Sequence, residues 1–178
     1  MRCFLAIDIP ENIKNNINII QDKLYKKDLV LVNKDLLHIT IKFFRNIDIK
    51  VADEIFRNLQ DFDFKIFDIS LNGFDYFRFN NDSGILFINI NKNSENLSLL
   101  YEELERRCFF DYSNSHEKFI PHLTVARIKK FNLQLVEQIK EFNNFEFGSF
   151  QIKRLSFKKS TLTNKEPIYE ELRSFDLE

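Results

Sequence analysis

Glycine is nearly absent from this sequence. The 178-residue chain holds three, Gly73, Gly84 and Gly148. A P-loop needs two glycines before its lysine, and a dinucleotide-binding turn needs three within six residues. Neither can be built here. Cysteine is as scarce: Cys3 and Cys108 are the only two, and neither lies in a Cys-x-x-Cys or Cys/His cluster. That excludes a structural zinc site. Cys3 falls in an apolar run and reads as a small buried hydrophobe, so free thiols are expected. Tryptophan is missing, and 21 phenylalanines must supply most of the aromatic core. No run approaches the roughly 18 apolar residues of a membrane span. Asp8 interrupts the short apolar stretch of residues 1–10, so no signal peptide is read there. A cytoplasmic protein without membrane attachment is expected. A net charge is lacking too: 26 Lys and Arg stand against 27 Asp and Glu, for a formal charge of −1. A protein that blankets a phosphate backbone is usually basic, so any grip on nucleic acid must be local.

What is present is ordinary globular material, 44% hydrophobic and 30% charged. The length predicts one domain over residues 1–178, or two small lobes sharing one core. No Pro/Gly/Ser linker or low-complexity tract divides it. Residues 2–9 read as a β-strand, and Pro10-Glu11 opens a helix carrying Ile13, Ile17, Ile20 and Leu24. Short strands are predicted at 29–32 and 36–44, and a second helix through Val51, Ile55 and Leu59. Residues 62–79 alternate over a long stretch in which Gly73 marks a bend or bulge. A turn at 80–84 leads into a strand at 84–90, and Ser94 caps a helix carrying Leu97, Leu100, Leu104 and Cys108. A polar loop at 111–118, a strand at 121–128 and a helix at 133–142 follow. Residues 145–158 and 168–177 read as two closing strands. Helices interleave with strands that often follow one another directly. That predicts an α+β fold with mostly antiparallel sheets.

One pattern stands out. Leu37-His38-Ile39-Thr40-Ile41-Lys42 and His122-Leu123-Thr124-Val125 both contain His-x-Thr inside an apolar strand, about half a chain apart. Side chains alternate faces along a strand, so His38 points with Thr40 and His122 with Thr124, each pair about 7 Å apart. Two similar lobes facing each other would bring two imidazoles and two hydroxyls to one cleft. Ser and Thr number 14 of 178 residues, so any one His has about an 8% chance of a hydroxyl two positions on. A lone His in a strand is usually satisfied structure; two such motifs in matching strands are hard to reach by chance. Two imidazoles, each with an unperturbed pKa of ~6.5, can serve as general acid and general base together. Hydroxyls can donate to phosphate oxygens. Such a set suits in-line displacement at phosphorus without a metal, cofactor or covalent intermediate.

These motifs resemble the signature of the two-histidine phosphoesterase superfamily. The opening Arg2-Cys-Phe-Leu-Ala-Ile-Asp-Ile-Pro10-Glu11, the segments Leu37–Phe43 and Phe119-Ile-Pro-His-Leu-Thr-Val-Ala-Arg127, and the tail with Ser160-Thr-Leu and Pro167-Ile-Tyr-Glu-Glu-Leu172 are similar to the RNA 2′,3′-cyclic phosphodiesterases, also called RNA 2′–5′ ligases. The resemblance implies two pseudo-symmetric α/β lobes around a central cleft, hence a single two-lobed phosphoesterase domain. It implies metal-independent hydrolysis of a 2′,3′-cyclic phosphate at an RNA end to a 2′-phosphate, and joining of tRNA halves in reverse. By the same resemblance His38 is the general acid, His122 the general base, and Thr40, Thr124 and Arg127 hold the phosphate. The first motif departs from the family's Lys-Phe-Leu-Gly; Arg45 and Asn46 follow Phe44 here, so a turn at the cleft edge loses its glycine. The segment before the second motif, often Arg-rich in the family, is His116-Glu-Lys118.

Other residues divide between chemistry and structure. Strict alternation puts Arg127 opposite Thr124, so it reaches the phosphate only through a twist or bulge. Lys42 has the parity of His38 and Thr40 and is read as a further phosphate contact, with a solvated strand-end lysine the plain alternative. His116 reads as a surface histidine. Phe43, Phe44 and Phe119 are candidates to stack a nucleobase, but core or groove wall is the commoner fate of a phenylalanine. Lys129-Lys130 and Lys158-Lys159 read as solvated pairs, and Asp8 as support for the first helix. Rival functions keep the same fold. One is a phosphodiesterase on 2′–5′-linked oligonucleotides or small cyclic phosphates; the other is a non-catalytic RNA-end binding module. A monomer is expected, since no spare helical stripe offers itself for self-assembly.

Overall fold

Apolar side chains recurring every third or fourth residue give each helix one buried face. These are Ile13, Ile17 and Ile20 in α1 (Glu11–Gln21), Ala52 and Ile55 in α2 (Ile49–Asn58), Leu97, Leu100 and Leu104 in α3 (Ser94–Arg107), and Leu135 and Ile139 in α4 (Leu133–Glu141). The strands are β1 (Arg2–Asp8), β2 (Leu29–Leu31), β3 (His38–Phe44), β4 (Phe67–Arg78), β5 (Gly84–Lys92), β6 (His122–Ile128), β7 (Glu146–Ile152), β8 (Arg154–Thr161) and β9 (Ile168–Asp176). The computed structural model describes residues 1–108 and 119–178. The predicted loop at 111–118, with His116, lies outside the described residues.

The strands form two sheets with antiparallel pairing throughout, in the orders β3-β1-β8-β9 and β2-β6-β5-β4-β7. This is the α+β architecture expected from the sequence. The first sheet is backed by α2, through Phe56 against Phe157, and by α3, which meets β3. The second is backed by α1 against β7 and α4 against β4. The two halves repeat one plan: strand, helix, neighbouring strand, helix. In each the first helix crosses to the other sheet. α1 follows β1 yet packs on the second sheet, and α3 follows β5 yet packs on the first. Each half therefore closes the other's core.

The stretch at 145–158, expected as one strand, is two. Lys153 separates β7, paired with β4, from β8, paired with β1. The apolar alternation changes parity there, with Lys153 and Arg154 both exposed between Ile152 and Leu155, but no Gly or Pro marks the break. Gly73 does disturb β4 as expected. It has φ +71°, and a Cβ there would lie 2.0 Å from the Asn143 carbonyl oxygen, so no other residue fits without displacing that backbone. The turn after β3 uses Asn46 at φ 56°. Asn tolerates the left-handed region, and Arg45 before it is not among the positive-φ residues.

Candidate active site

β3 and β6 approach each other where the two sheets meet, and they are built alike. Both begin with His-x-Thr, and both show the same run of exposure: half-buried, buried, half-buried, buried, buried, exposed, buried. The two consecutive buried positions mark a bulge. In β3, Lys42 pairs with Leu5 and Thr40 with Ala6, leaving Ile41 extra. In β6, Ala126 pairs with Leu86 and Thr124 with Phe87, leaving Val125 extra. A bulge inverts the parity of everything after it.

That inversion decides the fate of two expected ligands. Arg127 is turned onto the face of His122 and Thr124 and is exposed there. Lys42 is turned off the face of His38 and Thr40. It is 6% exposed and ion-paired with Glu105 of α3. The expectation that Lys42 faces the cleft fails because it assumed an unbroken strand. The position matching Arg127 in β3 is Phe43, 56% exposed, with its ring 5.8 Å from that of Phe4. Phe44 is core, and Phe119 stacks on Tyr101 at 4.6 Å.

A bulge leaves backbone groups unpaired, and buried ones must be satisfied. The Val125 carbonyl accepts from the Val32 N–H at 2.8 Å and from Gln21 Nε2 at 2.9 Å. Gln21, 2% exposed on α1, also donates to the Val32 carbonyl at 3.0 Å. A polar residue on the apolar face of α1 thus holds the bulge that presents Arg127.

The two histidines share one orientation. Nδ1 of His38 lies 2.7 Å from the Leu36 carbonyl oxygen, and Nδ1 of His122 lies 2.7 Å from that of Ile120. A carbonyl only accepts, so each neutral ring carries its proton on Nδ1 and leaves the Nε2 lone pair free. Aromatic rings surround both. Phe4 and Tyr169 sit 4.9 and 5.3 Å from His38, and Phe77 and Phe87 each 5.3 Å from His122. Burial pushes both imidazoles below the ordinary value, against the raising effect of the Leu36 and Ile120 carbonyls. At His38 the Lys158 charge and the neighbouring His122 also lower it, and Asp8 opposes them.

Asp8 and Lys158 do not play the parts expected of them. The backbone of Pro10 starts α1 without a side-chain cap. Asp8 instead pairs across the strand with His38, and its carboxylate accepts from Ser156 Oγ at 2.6 Å and from Lys158 Nζ. Burial pushes that carboxyl up, but the Lys158 and Ser156 hydrogen bonds and the Lys158 charge outweigh it and hold it low. Lys158 is a largely buried neighbour of the site, while Lys159 remains on the surface beside Glu170. Residue pairing could not have shown this, because the partners lie 150 positions apart. A cavity of about 310 Å³ is lined by Asp8, Pro10, Gln151, Arg154 and Glu171, and neither histidine lines it.

Known proteins resemble this chain in sequence and in fold. The profile of the 2′-5′ RNA ligase superfamily matches residues 9–162. A Methanocaldococcus jannaschii protein named RNA 2′,3′-cyclic phosphodiesterase is 33% identical over 98% of this chain and 100% of its own length. A Thermotoga maritima protein of the same name is 29% identical over 97% and 93%. Among solved structures, E. coli LigT complexed with 3′-AMP superposes with a TM-score of 0.85 at 18% identity, covering 99% of this chain and 97% of that one. TT0787 of Thermus thermophilus gives 0.82 at 21% identity, with 99% and 97% covered. These two likenesses speak to the fold.

Proposed function

The chain belongs to the 2′-5′ RNA ligase superfamily, and we propose that it hydrolyses RNA 2′,3′-cyclic phosphate ends to 2′-phosphates without a metal ion. One observation carries this reading: two bulged His-x-Thr strands present paired imidazoles, each with Nδ1 tied to a carbonyl and Nε2 left free. His122 Nε2 takes a proton from water as the water oxygen attacks phosphorus. The bond from phosphorus to the 3′ oxygen breaks in line. His38, entering the step as imidazolium, gives its Nε2 proton to the departing oxygen, leaving a 3′-hydroxyl and a 2′-phosphate. Thr40 and Thr124 donate to the non-bridging oxygens, and Arg127 balances their charge. The assignment of acid to His38 and base to His122 follows the family resemblance. A 5′-hydroxyl in place of water gives 2′–5′ ligation by the same proton transfers, and tRNA halves are suitable ends. All these groups lie within one chain, so a monomer suffices.

The test is hydrolysis of an RNA oligonucleotide with a 2′,3′-cyclic phosphate end in excess EDTA, with the phosphate position of the product identified. A 2′-phosphate is expected. His38→Ala and His122→Ala should each lower kcat by about 10²–10⁴-fold while still binding the RNA. Undiminished rates in both variants would refute the two-histidine mechanism. A 3′-phosphate product would reverse the orientation of the ring. Binding without turnover in the parent protein would leave an RNA-end binding module.

A further inference from the structure

Along the first sheet, the face that carries His38 continues past Thr40 to Phe43 and Phe4, and then to two arginines. β1 and β3 pair Phe4 with Phe43 and Cys3 with Phe44; beyond them Met1 and Ile47 exchange backbone hydrogen bonds, so Arg2 lies across from the Arg45-Asn46 turn. Both are exposed. Together with Phe4, Phe43 and Ser160 they line a cavity of about 90 Å³. Tyr169, whose ring edges onto His38, pairs with Ser160, the partner of Arg2 on β8.

This arginine pair differs from most cations of its sheet; Arg173 of β9, set over the Phe56 ring, is the other one without a carboxylate partner among the described residues. Lys42, Lys158, Lys159 and Arg154 each have a carboxylate partner, whereas Arg2 and Arg45 have none among the described residues. Two exposed guanidinium groups lining one cavity repel each other, and a bound anion would offset that repulsion. The pair stands four residues along β1 from Ala6, the partner of Thr40, or about 13 Å at ~3.3 Å per residue. Arginine side chains shorten that span.

Building on the activity proposed above, we infer that Arg2 and Arg45 form a second phosphate subsite. It holds an upstream phosphodiester of the RNA whose cyclic end lies at Thr40 and Thr124. The exposed ring of Phe43, between the two phosphates, supports the terminal nucleoside. The subsite makes the enzyme selective for oligonucleotide ends over mononucleoside 2′,3′-cyclic phosphates.

The experiment compares kcat/KM for a mononucleoside 2′,3′-cyclic phosphate with that for a trinucleotide ending in the same group. The trinucleotide is also made with neutral methylphosphonate upstream linkages. The parent protein should prefer the charged trinucleotide by about tenfold or more, chiefly through KM, as for the loss of one or two charge-assisted hydrogen bonds. Neutral linkages, or Arg2→Ala with Arg45→Ala, should bring the ratio to near one. Rising salt should erode it. Both arginines are exposed, so an unchanged thermal transition should accompany the variants. Equal efficiency on both substrates, or a preference that survives the double substitution, would overturn the subsite. Failure of the parent protein to hydrolyse any cyclic end would overturn the activity beneath it.

Discussion

Lys42 and Glu105 give the sharpest prediction, because removing one partner or the other should have unequal effects. The Lys42 side chain is 5% exposed and the Glu105 side chain 37%. Glu105→Ala leaves an ammonium with almost no access to water. Breaking a fully buried pair in this way costs about 3–5 kcal/mol. The partial exposure of Glu105 means the site is not dry, so about 2–3 kcal/mol is the discounted figure. Lys42→Met keeps most of the buried stem beside Phe44 and leaves a carboxylate able to turn to solvent; about 1 kcal/mol or less is expected. The double variant, with no stranded charge, should be more stable than Glu105→Ala alone. Urea unfolding at neutral pH with a common m-value reads all three. In a chain of this length Glu105→Ala should lower Tm by about 4–12 °C. The same pair tests the bulge in β3. Were Lys42 turned to the cleft, Lys42→Met would spare stability and raise KM for the cyclic-phosphate end. That result, or Glu105→Ala being no worse than Lys42→Met, would refute the inward placement.

Three further predictions follow from the site. Both imidazoles are held below their ordinary 6.5. Neutral histidines favour the folded state, so stability is full above about pH 6.5. It falls as pH drops below that value, because the unfolded chain then takes up protons the folded chain refuses. For activity, one ring must be protonated and one free, so the bell-shaped profile of kcat/KM should peak on the acid side of 6.5, with apparent values belonging to the pair. An optimum at pH 8 would refute it. Gln21→Leu should cost about 1–3 kcal/mol through the unsatisfied Val32 carbonyl. It should also weaken kcat/KM severalfold as the bulge beneath Arg127 loosens; unchanged stability in denaturant titration would show that the bulge does not depend on Gln21.

What the sequence revealed and what it hid follow from the range of the interactions involved. Local periodicity sufficed for the helices and for most strands, since a buried face every 3.6 or 2 residues is written within a dozen positions. His-x-Thr was legible for the same reason: two residues of spacing put imidazole and hydroxyl on one face before any bulge intervenes. Parity beyond Thr40 and Thr124 was not legible. Strand periodicity alone does not place an extra residue at Ile41 or Val125, and the groups that stabilise the irregularities lie far away in the chain, Gln21 at 104 positions from Val125 and Glu105 at 63 from Lys42. Each group is odd when viewed locally: a buried glutamine on an apolar helix face, a lysine amid strand hydrophobes. Such polar residues, misplaced by local rules, are the sequence-level trace of a bulge. The duplication adds to that trace. Whatever bends one strand of a repeated motif should bend the other, so the mismatch between Lys42-Phe43 and Ala126-Arg127 becomes informative. If Arg127 is to serve a phosphate beside Thr124, the strand must be bulged. The matching strand then carries Lys42 inward and Phe43 outward, which is the arrangement observed.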